Sequence, residues 1–534
     1  MEPSFFVPGV GLEPTHLAAA DFESAASTDF ATRASGLQYY AIPFNFLHNY
    51  FFSLEILPVR VISGGRPAQK SVLITLYLQL TTRNGYPSRI SGPATRALHP
   101  KPYAFYLPPF TYLCVTKAIF LIKYAGFMLA NTRFMIKIGL IREGKIPADN
   151  RVALTPAQCK WILKNAPDVT VIAQSSPDRC FSDREYEAAG VEVRDEVSDC
   201  DILLGIKEVP VEKLIAGKTY LFFSHTRKKQ PHNKKLLRTI LDQRIRLIDY
   251  ECLEHEDGQR IIGFGFFAGV VGAHNGMMAY GNRTGLYQLE RVYKQRSFRE
   301  LIHSYFGVRL PNVKIAVTGS GRVAHGILEV MNLMGIHEVE PDDYLNRRFS
   351  YPVYTQLKGA DLYMHRQTGK YSREAFHHNP EQFVCKFLPY AAQTDILMNG
   401  VYWDKNVPRL FEKTDVNTDD FIIQTIADIT DDENGSVPIN AGDQTIEDPV
   451  YGIDRDTLQK VPAYTKGSID VMAVGNLPNE LPRDASRYFG EQLIKFILDD
   501  LVKGGSPTID RATIALDGKL TETFSYLRDY AGEA

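Results

Sequence analysis

The chain has 534 residues, of which 44% are hydrophobic and 23% are charged, and its formal net charge is −2 at pH 7. This length and composition predict two or three globular domains and exclude a disordered or fibrous protein. The small net charge provides no general attraction to nucleic acid or to acidic lipid, so we expect neither as a partner.

The six cysteines include no Cys-x-x-Cys pair and show no metal-ligand spacing with histidine. We therefore expect no disulfide framework and no metal site. Cysteines used in this way are typical of a reducing compartment, and we expect the cytoplasm.

Residues 1–134 differ from the rest of the chain, because no Asp or Glu occurs between Glu55 and Glu143. The segment 111–130 is long enough to cross a bilayer, but Lys117 and Lys123 lie within it, and each costs about 2.5 to 3.5 kcal/mol near a membrane centre. We expect no membrane association. Met135 then opens "MIKIGLIREGK", a strand followed by polar residues. We predict that residues 1–134 are a mis-annotated upstream extension, disordered or irregular, and not part of the fold.

From Met135 onward, strand and helix patterns alternate. Residues 136–141 are an apolar run, and the helical stretch "LTPAQCKWILKN" has Thr155 as its N-cap and Pro156 at its first helical position. Four more apolar runs follow, namely "DVTVIAQ", "DILLGI", "TYLFFS" and "RIRLIDY". This alternation predicts an α/β fold with a parallel sheet covered by helices.

Polar side chains follow the ends of these predicted strands: Arg142, Lys207 with Glu208, His225, and Glu251. In an open parallel sheet, ligands bind in the crevice beyond the carboxyl ends of the strands. A single such residue is more often structural, but the whole set indicates a functional crevice.

Four glycines, Gly265, Gly269, Gly272 and Gly276, recur at spacings of three and four residues. They share one face of a predicted helix, which would let another backbone approach closely.

The stretch "VKIAVTGSGRVAHGILEVMNLMG" places Gly319, Gly321 and Ala324 between a predicted strand and a predicted helix. This spacing is that of a dinucleotide-binding loop, in which the helix amino terminus receives the pyrophosphate. Several residues could be the acidic group that holds the adenosine ribose, and their number favours NAD over NADP, although Arg347 and Arg348 follow closely. The candidates are Glu338, Glu340, Asp342 and Asp343.

Seven motifs occur in order between Met135 and Ala534: "IREGK", "RVALTP", "GIKE", "FSHTRKKQ", "DYECLE", "QRIIGFGFFAGVVGA" and "LPRDAS". Together they resemble the lysine-forming saccharopine dehydrogenases, within the alanine dehydrogenase and transhydrogenase group. Two features depart from that family. Val323 stands where the family has a cysteine beside the dinucleotide loop, and the insertion after the first helix of the dinucleotide-binding domain is longer.

The resemblance implies two Rossmann-like domains with parallel sheets and an active site in the cleft between them. Residues 135–265 and 477–534 would form a substrate-binding domain similar to the amino-terminal domain of alanine dehydrogenase. Residues 266–476 would form the dinucleotide-binding domain.

The resemblance also implies an oxidoreductase that interconverts saccharopine, NAD and water with L-lysine, 2-oxoglutarate and NADH. Lys207 and His225 match the family's acid/base pair. The residues expected to bind or orient substrate are Arg142, Glu208, Glu251, Arg260, Lys228 and Gln230. Those expected to bind NAD are Gly319, Gly321, Arg322, Val323, Ala324 and Asp428. Two alternatives remain, a related amino-acid or opine dehydrogenase such as alanine dehydrogenase, and a non-catalytic dinucleotide-binding protein.

Overall fold

A computed structural model describes residues 50–55, 77–82, 135–442 and 444–532. Within residues 1–116, a unit of its own, strands β1 (Tyr50–Glu55) and β2 (Tyr77–Thr82) form an antiparallel pair with Tyr50 opposite Thr82. Apart from these two strands, the predicted extension 1–134 lies outside the described residues. The candidate membrane segment 111–130 also lies outside them.

Eighteen further strands and thirteen α-helices are described between residues 135 and 532. The strands are β3 (Ile136–Leu140), β4 (Val169–Gln174), β5 (Glu192–Arg194), β6 (Ile202–Leu204), β7 (Thr219–Phe222), β8 (Arg246–Asp249), β9 (Lys314–Thr318), β10 (His337–Glu338), β11 (Val353–Leu357), β12 (Tyr363–His365), β13 (Phe383–Cys385), β14 (Ile396–Asn399), β15 (Thr425–Asp428), β16 (Val450–Asp454), β17 (Lys460–Val461), β18 (Ser468–Met472), β19 (Thr513–Leu516) and β20 (Lys519–Leu520). The helices are α1 (Pro156–Asn165), α2 (Asp183–Ala188), α3 (Lys234–Asp242), α4 (Gly265–Thr284), α5 (Phe298–Ser304), α6 (Arg322–Leu333), α7 (Pro341–Asn346), α8 (Arg373–His378), α9 (Leu388–Ala391), α10 (Pro482–Leu493), α11 (Asp499–Val502), α12 (Pro507–Ala512) and α13 (Arg528–Ala531).

The first large sheet has eight strands in the order β20-β19-β8-β7-β6-β3-β4-β5. Strands β3 to β8 are parallel, and β19 and β20 extend the edge in antiparallel pairings. The chain leaves β3 toward β4 and later returns on its other side as β6, so the direction of winding changes at β3. A change of this kind opens a crevice at the carboxyl ends of the neighbouring strands.

The second large sheet also has eight strands, in the order β10-β11-β9-β14-β15-β18-β16-β17. Its first six strands are parallel, and β16 and β17 close one edge in antiparallel pairings. The predicted fold class is confirmed, with two mostly parallel sheets flanked by helices. Residues 136–249 and 513–520 supply the first sheet and residues 314–472 the second, while the exact domain boundaries stay a prediction.

Strands predicted from apolar runs are confirmed in both sheets because parallel strands are buried on both faces and read as continuous apolar segments. The first helix also begins as predicted. The Thr155 side chain caps α1, Gln158 completes the capping box, and Pro156 is the first helical residue. A further helix, α10, begins in the same way, with Pro482 as its first residue.

Helices α4 and α6 touch backbone to backbone. A Cβ atom added at Gly326 would overlap the carbonyl oxygen of Phe266, and one added at Gly269 would overlap that of Val323. The close approach predicted for the glycine face of α4 is therefore confirmed, and α6, the helix of the dinucleotide loop, is its partner.

Within the described residues, no helix combines the length and the apolar character needed to cross a bilayer.

We predict that Gly326→Ala separates α4 from α6 and lowers the free energy of unfolding by about 1 to 3 kcal/mol, the usual effect of overpacking. Chemical denaturation measures this change. His325→Ala is the matched control, since His325 is the exposed neighbour of Gly326 on the same helix. Equal stability of the two variants would contradict the close helix contact.

Candidate active site

The crevice of the first sheet collects side chains from the carboxyl ends of three adjacent parallel strands. Lys207 and Glu208 follow β6, His225 follows β7, and Glu251 follows β8. The sequence predicted this grouping, and the structure places Glu208 and Glu251 each within ion-pair distance of His225.

His225 lies between two carboxylates. Its Nε2 atom is 3.8 Å from Glu208 Oε1, and its Nδ1 atom is 3.5 Å from Glu251 Oε2. Its backbone is left-handed, with φ of 52°, and its ring stacks on Phe223 at a centroid distance of 6.3 Å. These contacts fix the imidazole with one nitrogen toward each carboxylate.

Glu251 lies between the positively charged side chains of the crevice. Its Oε1 atom is 3.4 Å from Lys228 Nζ and 3.3 Å from Arg260 Nη2. Burial alone would raise the pKa of Glu251, but the hydrogen bond from His225 and the charges of Lys228 and Arg260 outweigh it and lower the pKa to about 2. Glu251 therefore stays ionised at neutral pH.

Asp249, the last residue of β8, anchors the loops beneath this cluster. It is fully buried and accepts hydrogen bonds from the Ser224 backbone N–H (3.1 Å), the Ser224 hydroxyl (2.5 Å) and the Glu251 backbone N–H (2.7 Å). Burial raises its pKa. The sequence analysis did not single out Asp249, although it stands at the end of the run "RIRLIDY".

Lys207 has a strongly shifted pKa. Burial, together with the positive charges of Arg151 and Lys145, lowers it to about 8, while Asp149 and Glu208 act in the opposite direction. A lysine in this state exchanges protons near neutral pH, which an exposed lysine does not do.

Glu143 sets the position of the Lys207 loop. Its carboxyl oxygens accept the backbone N–H groups of Ile206 (2.6 Å) and Lys207 (2.9 Å). Desolvation raises the pKa of Glu143 to about 8. Glu143 stands in the motif "IREGK", but the sequence assigned it no role, because its partners lie 63 and 64 residues further along the chain.

Arg151 is the third residue, after Asp249 and Glu143, to which the sequence assigned no role. It is buried and paired with Asp149, with Nε 2.9 Å from Oδ1, and it also donates to Asn476 Oδ1 at 2.8 Å. Its guanidinium stacks on Phe264 at 4.2 Å. The motif "RVALTP" contains Arg151, and its place before a capped helix was the available signal.

The structure does not bring Arg142 into the cluster around His225. Its Nε atom donates to the Ser175 carbonyl at 2.5 Å, and its Nη2 atom is 3.4 Å from Asp195 Oδ1. Gln230 also makes contacts elsewhere, since its side-chain oxygen accepts from Asn233 at 3.4 Å. Both substrate-binding assignments stay predictions. Arg151, and not Arg142, is among the positive charges that lower the pKa of Lys207.

The dinucleotide fingerprint has the geometry that it needs. Gly319 follows β9 with φ of 102°, a conformation that favours glycine, and its carbonyl accepts from Gln356 Nε2 at 2.8 Å. Gly321 precedes α6, and a Cβ atom built there has nothing within 4 Å. The loop therefore leaves open space at a helix amino terminus, which fits a pyrophosphate.

Three of the other predicted cofactor residues lie in the first turn of α6, and Asp428 ends β15. Ala324 is buried against the sheet, and Arg322 donates to the Ile261 carbonyl at 3.1 Å. Asp428, at the end of β15, accepts from Asn399 and Asn440, each at 2.8 Å. Burial raises its pKa to about 6 against the effect of these bonds. Val323 lies partly buried in the first turn of α6.

The strand order affects which residues can contact the adenosine ribose. The strand adjacent to β9 is β11, not β10, so the four acidic candidates at residues 338–343 precede the adjacent strand instead of following it. The residue directly after β11 is Lys358, whose Nζ atom is 2.9 Å from Gln356 Oε1. The acidic residues thus no longer support NAD over NADP.

Among the residues that the structure describes, no cluster of His, Cys, Asp or Glu has the arrangement of a metal centre.

Comparison with known proteins identifies relatives of this chain. Residues 139–271 match the family "Alanine dehydrogenase/PNT, N-terminal domain". The alpha-aminoadipic semialdehyde synthase of Rattus norvegicus, named as mitochondrial, is 30% identical over 443 residues, which cover 73% of this chain and 47% of that protein. The lysine-forming, NAD(+) saccharopine dehydrogenase of Yarrowia lipolytica is 24% identical over 408 residues, covering 72% of this chain and 97% of that protein.

A solved structure of L-alanine dehydrogenase aligns with 74% of this chain at 13% identity and a TM-score of 0.50, which supports the fold. The chain spans 47% of the length of the rat relative. The resemblance predicted from the motifs is confirmed, since the chain is similar to the saccharopine dehydrogenases and shares the amino-terminal domain family of the alanine dehydrogenases.

The charges around Lys207 lead to a prediction about its titration. Lys145→Met removes a positive neighbour and should raise the pKa of Lys207 above about 8, whereas Glu208→Gln removes a negative neighbour and should lower it. Competitive acetylation of Lys207, quantified by peptide mass spectrometry as a function of pH, measures both shifts. Lys160 is exposed and serves as the internal control. Shifts in the same direction for the two variants would contradict this electrostatic description.

Proposed function

We propose that this protein is a saccharopine dehydrogenase-type oxidoreductase, which interconverts saccharopine, NAD and water with L-lysine, 2-oxoglutarate and NADH. The observation that carries the proposal is the crevice itself. A lysine with a lowered pKa and a histidine held between two carboxylates lie at one edge of a parallel sheet. The named activities of the relatives support an amino-acid dehydrogenase in general.

The reaction needs proton transfers at two atoms. In the direction of oxidation, the carbon that carries the secondary amine would lose a hydride, and the amine nitrogen would lose a proton. Water would then add to the resulting imine carbon, with one proton passing from the oxygen to the nitrogen. The second proton of the oxygen would pass to the nitrogen as the carbon–nitrogen bond breaks, which gives lysine and 2-oxoglutarate. Such transfers require groups that can both take up and release a proton near neutral pH.

Lys207 and His225 are our candidates for these groups. Because the pKa of Lys207 is lowered to about 8, both the protonated and the neutral amine are present near neutral pH. His225 has a carboxylate beside each ring nitrogen, and these two contacts would hold the imidazole in position for proton transfer. Glu208 contacts His225 directly and raises the pKa of Lys207, so it couples the two groups.

Arginine and lysine side chains of the crevice would bind the substrate carboxylates. Arg260 is 40% exposed and Lys228 is 55% exposed, and Glu251 holds both in place. A guanidinium binds a carboxylate through two parallel hydrogen bonds, so we assign Arg260 to the 2-oxoglutarate part of the substrate.

The dinucleotide would bind at Gly319 and Gly321, with its pyrophosphate at the amino terminus of α6. When bound there, it supplies the hydride acceptor or donor. NAD is the form that the resemblance implies. The position of Lys358, directly after the strand next to β9, favours NADP instead, because a positive charge there would attract the 2′-phosphate.

Two other proposals differ in what they require. An alanine or opine dehydrogenase would use the same sheet and loop with a different amine, and a non-catalytic dinucleotide-binding protein would not need Lys207 and His225 in their present environment. Lysine, 2-oxoglutarate and saccharopine are the proposed partners. The cytoplasm remains our prediction for the compartment, although the rat relative is named as mitochondrial.

We predict that Lys207→Met and His225→Gln each lower turnover by about 10²- to 10⁴-fold, the usual contribution of a positioned acid or base. Because both groups serve one reaction, the double variant should lose less than the product of the two single losses. NADH absorbance with 2-oxoglutarate and a panel of amines measures the rates. Lys229→Met, which replaces an exposed neighbouring lysine, is the control. Near-normal turnover of both single variants with every amine would exclude this crevice as the catalytic site.

A second prediction concerns the cofactor. Gly321→Val places a side chain in the space proposed for the pyrophosphate. It should lower the affinity for both NADH and NADPH, which calorimetric titration measures. Lys358→Glu replaces a positive charge at the proposed ribose end of the site with a negative one. It should therefore lower the affinity for NADPH much more than the affinity for NADH. Unchanged affinities in Gly321→Val would remove the fingerprint from the proposed site.

A further inference from the structure

A second pocket lies on the first-sheet part of the chain and shares no residue with the active-site crevice described above. Its volume is about 460 Å³. Four segments that are distant in sequence form its walls: the start of α1, helix α2, the turn before α5, and the first turns of α10. A volume of this size is in the range of pockets that bind small molecules.

Three arginines and two carboxylates line this pocket. The arginines are Arg296, Arg483 and Arg487, and the carboxylates are Glu185 and Asp484. Counting these side chains as ionised leaves the lining with one excess positive charge. An anion is therefore the class of ligand that the lining favours.

Both carboxylates already have partners. Arg483 Nη2 is 2.6 Å from Glu185 Oε1, and Arg487 Nη2 is 2.8 Å from Asp484 Oδ1. The second oxygen of Asp484 accepts the backbone N–H of Phe298 at 2.8 Å. The carboxylates are thus held by the protein and do not attract a cationic ligand strongly.

Arg296 and Arg487 are the arginines available to a ligand. Arg296 is exposed, and its backbone N–H, not its guanidinium, contacts the carboxylate of Glu300 at 2.9 Å. Arg487 is 61% exposed despite its contact with Asp484. Guanidinium groups bind the oxygens of carboxylates and phosphates through paired hydrogen bonds.

The remaining wall of the pocket is apolar. Pro156, Ala157 and Ala188 contribute small surfaces, and Phe181 contributes a ring that the guanidinium of Arg483 covers at 4.0 Å. An inorganic ion would leave this wall in water, whereas a ligand with a carbon skeleton would cover it.

We propose that this pocket binds a small organic anion, which Arg296 and Arg487 recognise through its carboxylate or phosphate oxygens while its carbon skeleton covers the apolar wall. The site does not depend on the reaction proposed above. Helix α10 connects it to the crevice, because Ser486 of that helix accepts the backbone N–H of Val152, the residue after Arg151.

Isothermal titration calorimetry with citrate and with glycerol 3-phosphate tests the proposal, at an ionic strength matched with chloride. The variants are Arg296→Gln and the double variant Arg296→Gln/Arg487→Gln. Arg299→Gln is the control, since Arg299 is exposed on α5 but does not line the pocket. Arg260→Gln separates this pocket from the active-site crevice.

We expect at least one of the two anions to bind with one-to-one stoichiometry. Its affinity should fall about tenfold or more in the double variant and less in Arg296→Gln, and it should not change in Arg299→Gln or Arg260→Gln. Carboxylate and phosphate sources are distinguished by which probe binds. Binding of neither anion, unchanged affinity in the double variant, or loss of binding in Arg260→Gln would overturn the proposal.

Discussion

The main constraint on this structure is that parallel strands end at one edge of a sheet. Chain segments distant in sequence, at residues 207, 225 and 251, therefore place their polar groups in one partly desolvated crevice. Charges in such a place must balance one another, because an unpaired buried charge is very costly. Glu251 provides the balance, with His225, Lys228 and Arg260 around a single carboxylate.

The same crevice shifts two pKa values through different neighbours. Positive neighbours outweigh burial at Glu251 and lower its pKa to about 2. At Lys207, burial and positive neighbours act together, and they lower the pKa to about 8. A permanently ionised carboxylate thus lies near an amine that can change its charge. Such a division between a fixed charge and a titrating group is what acid/base chemistry at neutral pH requires.

Two helices that pack on the second sheet meet through a contact that only glycine permits. Gly269 on α4 and Gly326 on α6 bring the helix backbones together, and α6 begins at the dinucleotide loop. The position of the loop thus depends on helix packing as well as on the sheet that carries it. At the arginine-lined pocket, α10 contacts α2 through the Arg483–Glu185 ion pair, and it contacts α5 through the hydrogen bond from the Phe298 backbone N–H to Asp484.

The sequence alone determined the apolar parallel strands β3, β4, β6 to β8 and β9, the capped start of α1, the glycine face of α4 and the fingerprint at Gly319 and Gly321. These features depend on local patterns of apolar residues, caps and glycines, so they can be read from neighbouring positions. It also grouped Lys207, His225 and Glu251, because residues after parallel strands share one edge. Only the tertiary structure decided which partners these residues have. Glu143 and Arg151 act on Lys207 across long stretches of chain, Arg142 makes contacts elsewhere, and β11 separates β10 from β9. Pairing, burial and strand order arise from contacts between segments distant in sequence, and no local pattern records them.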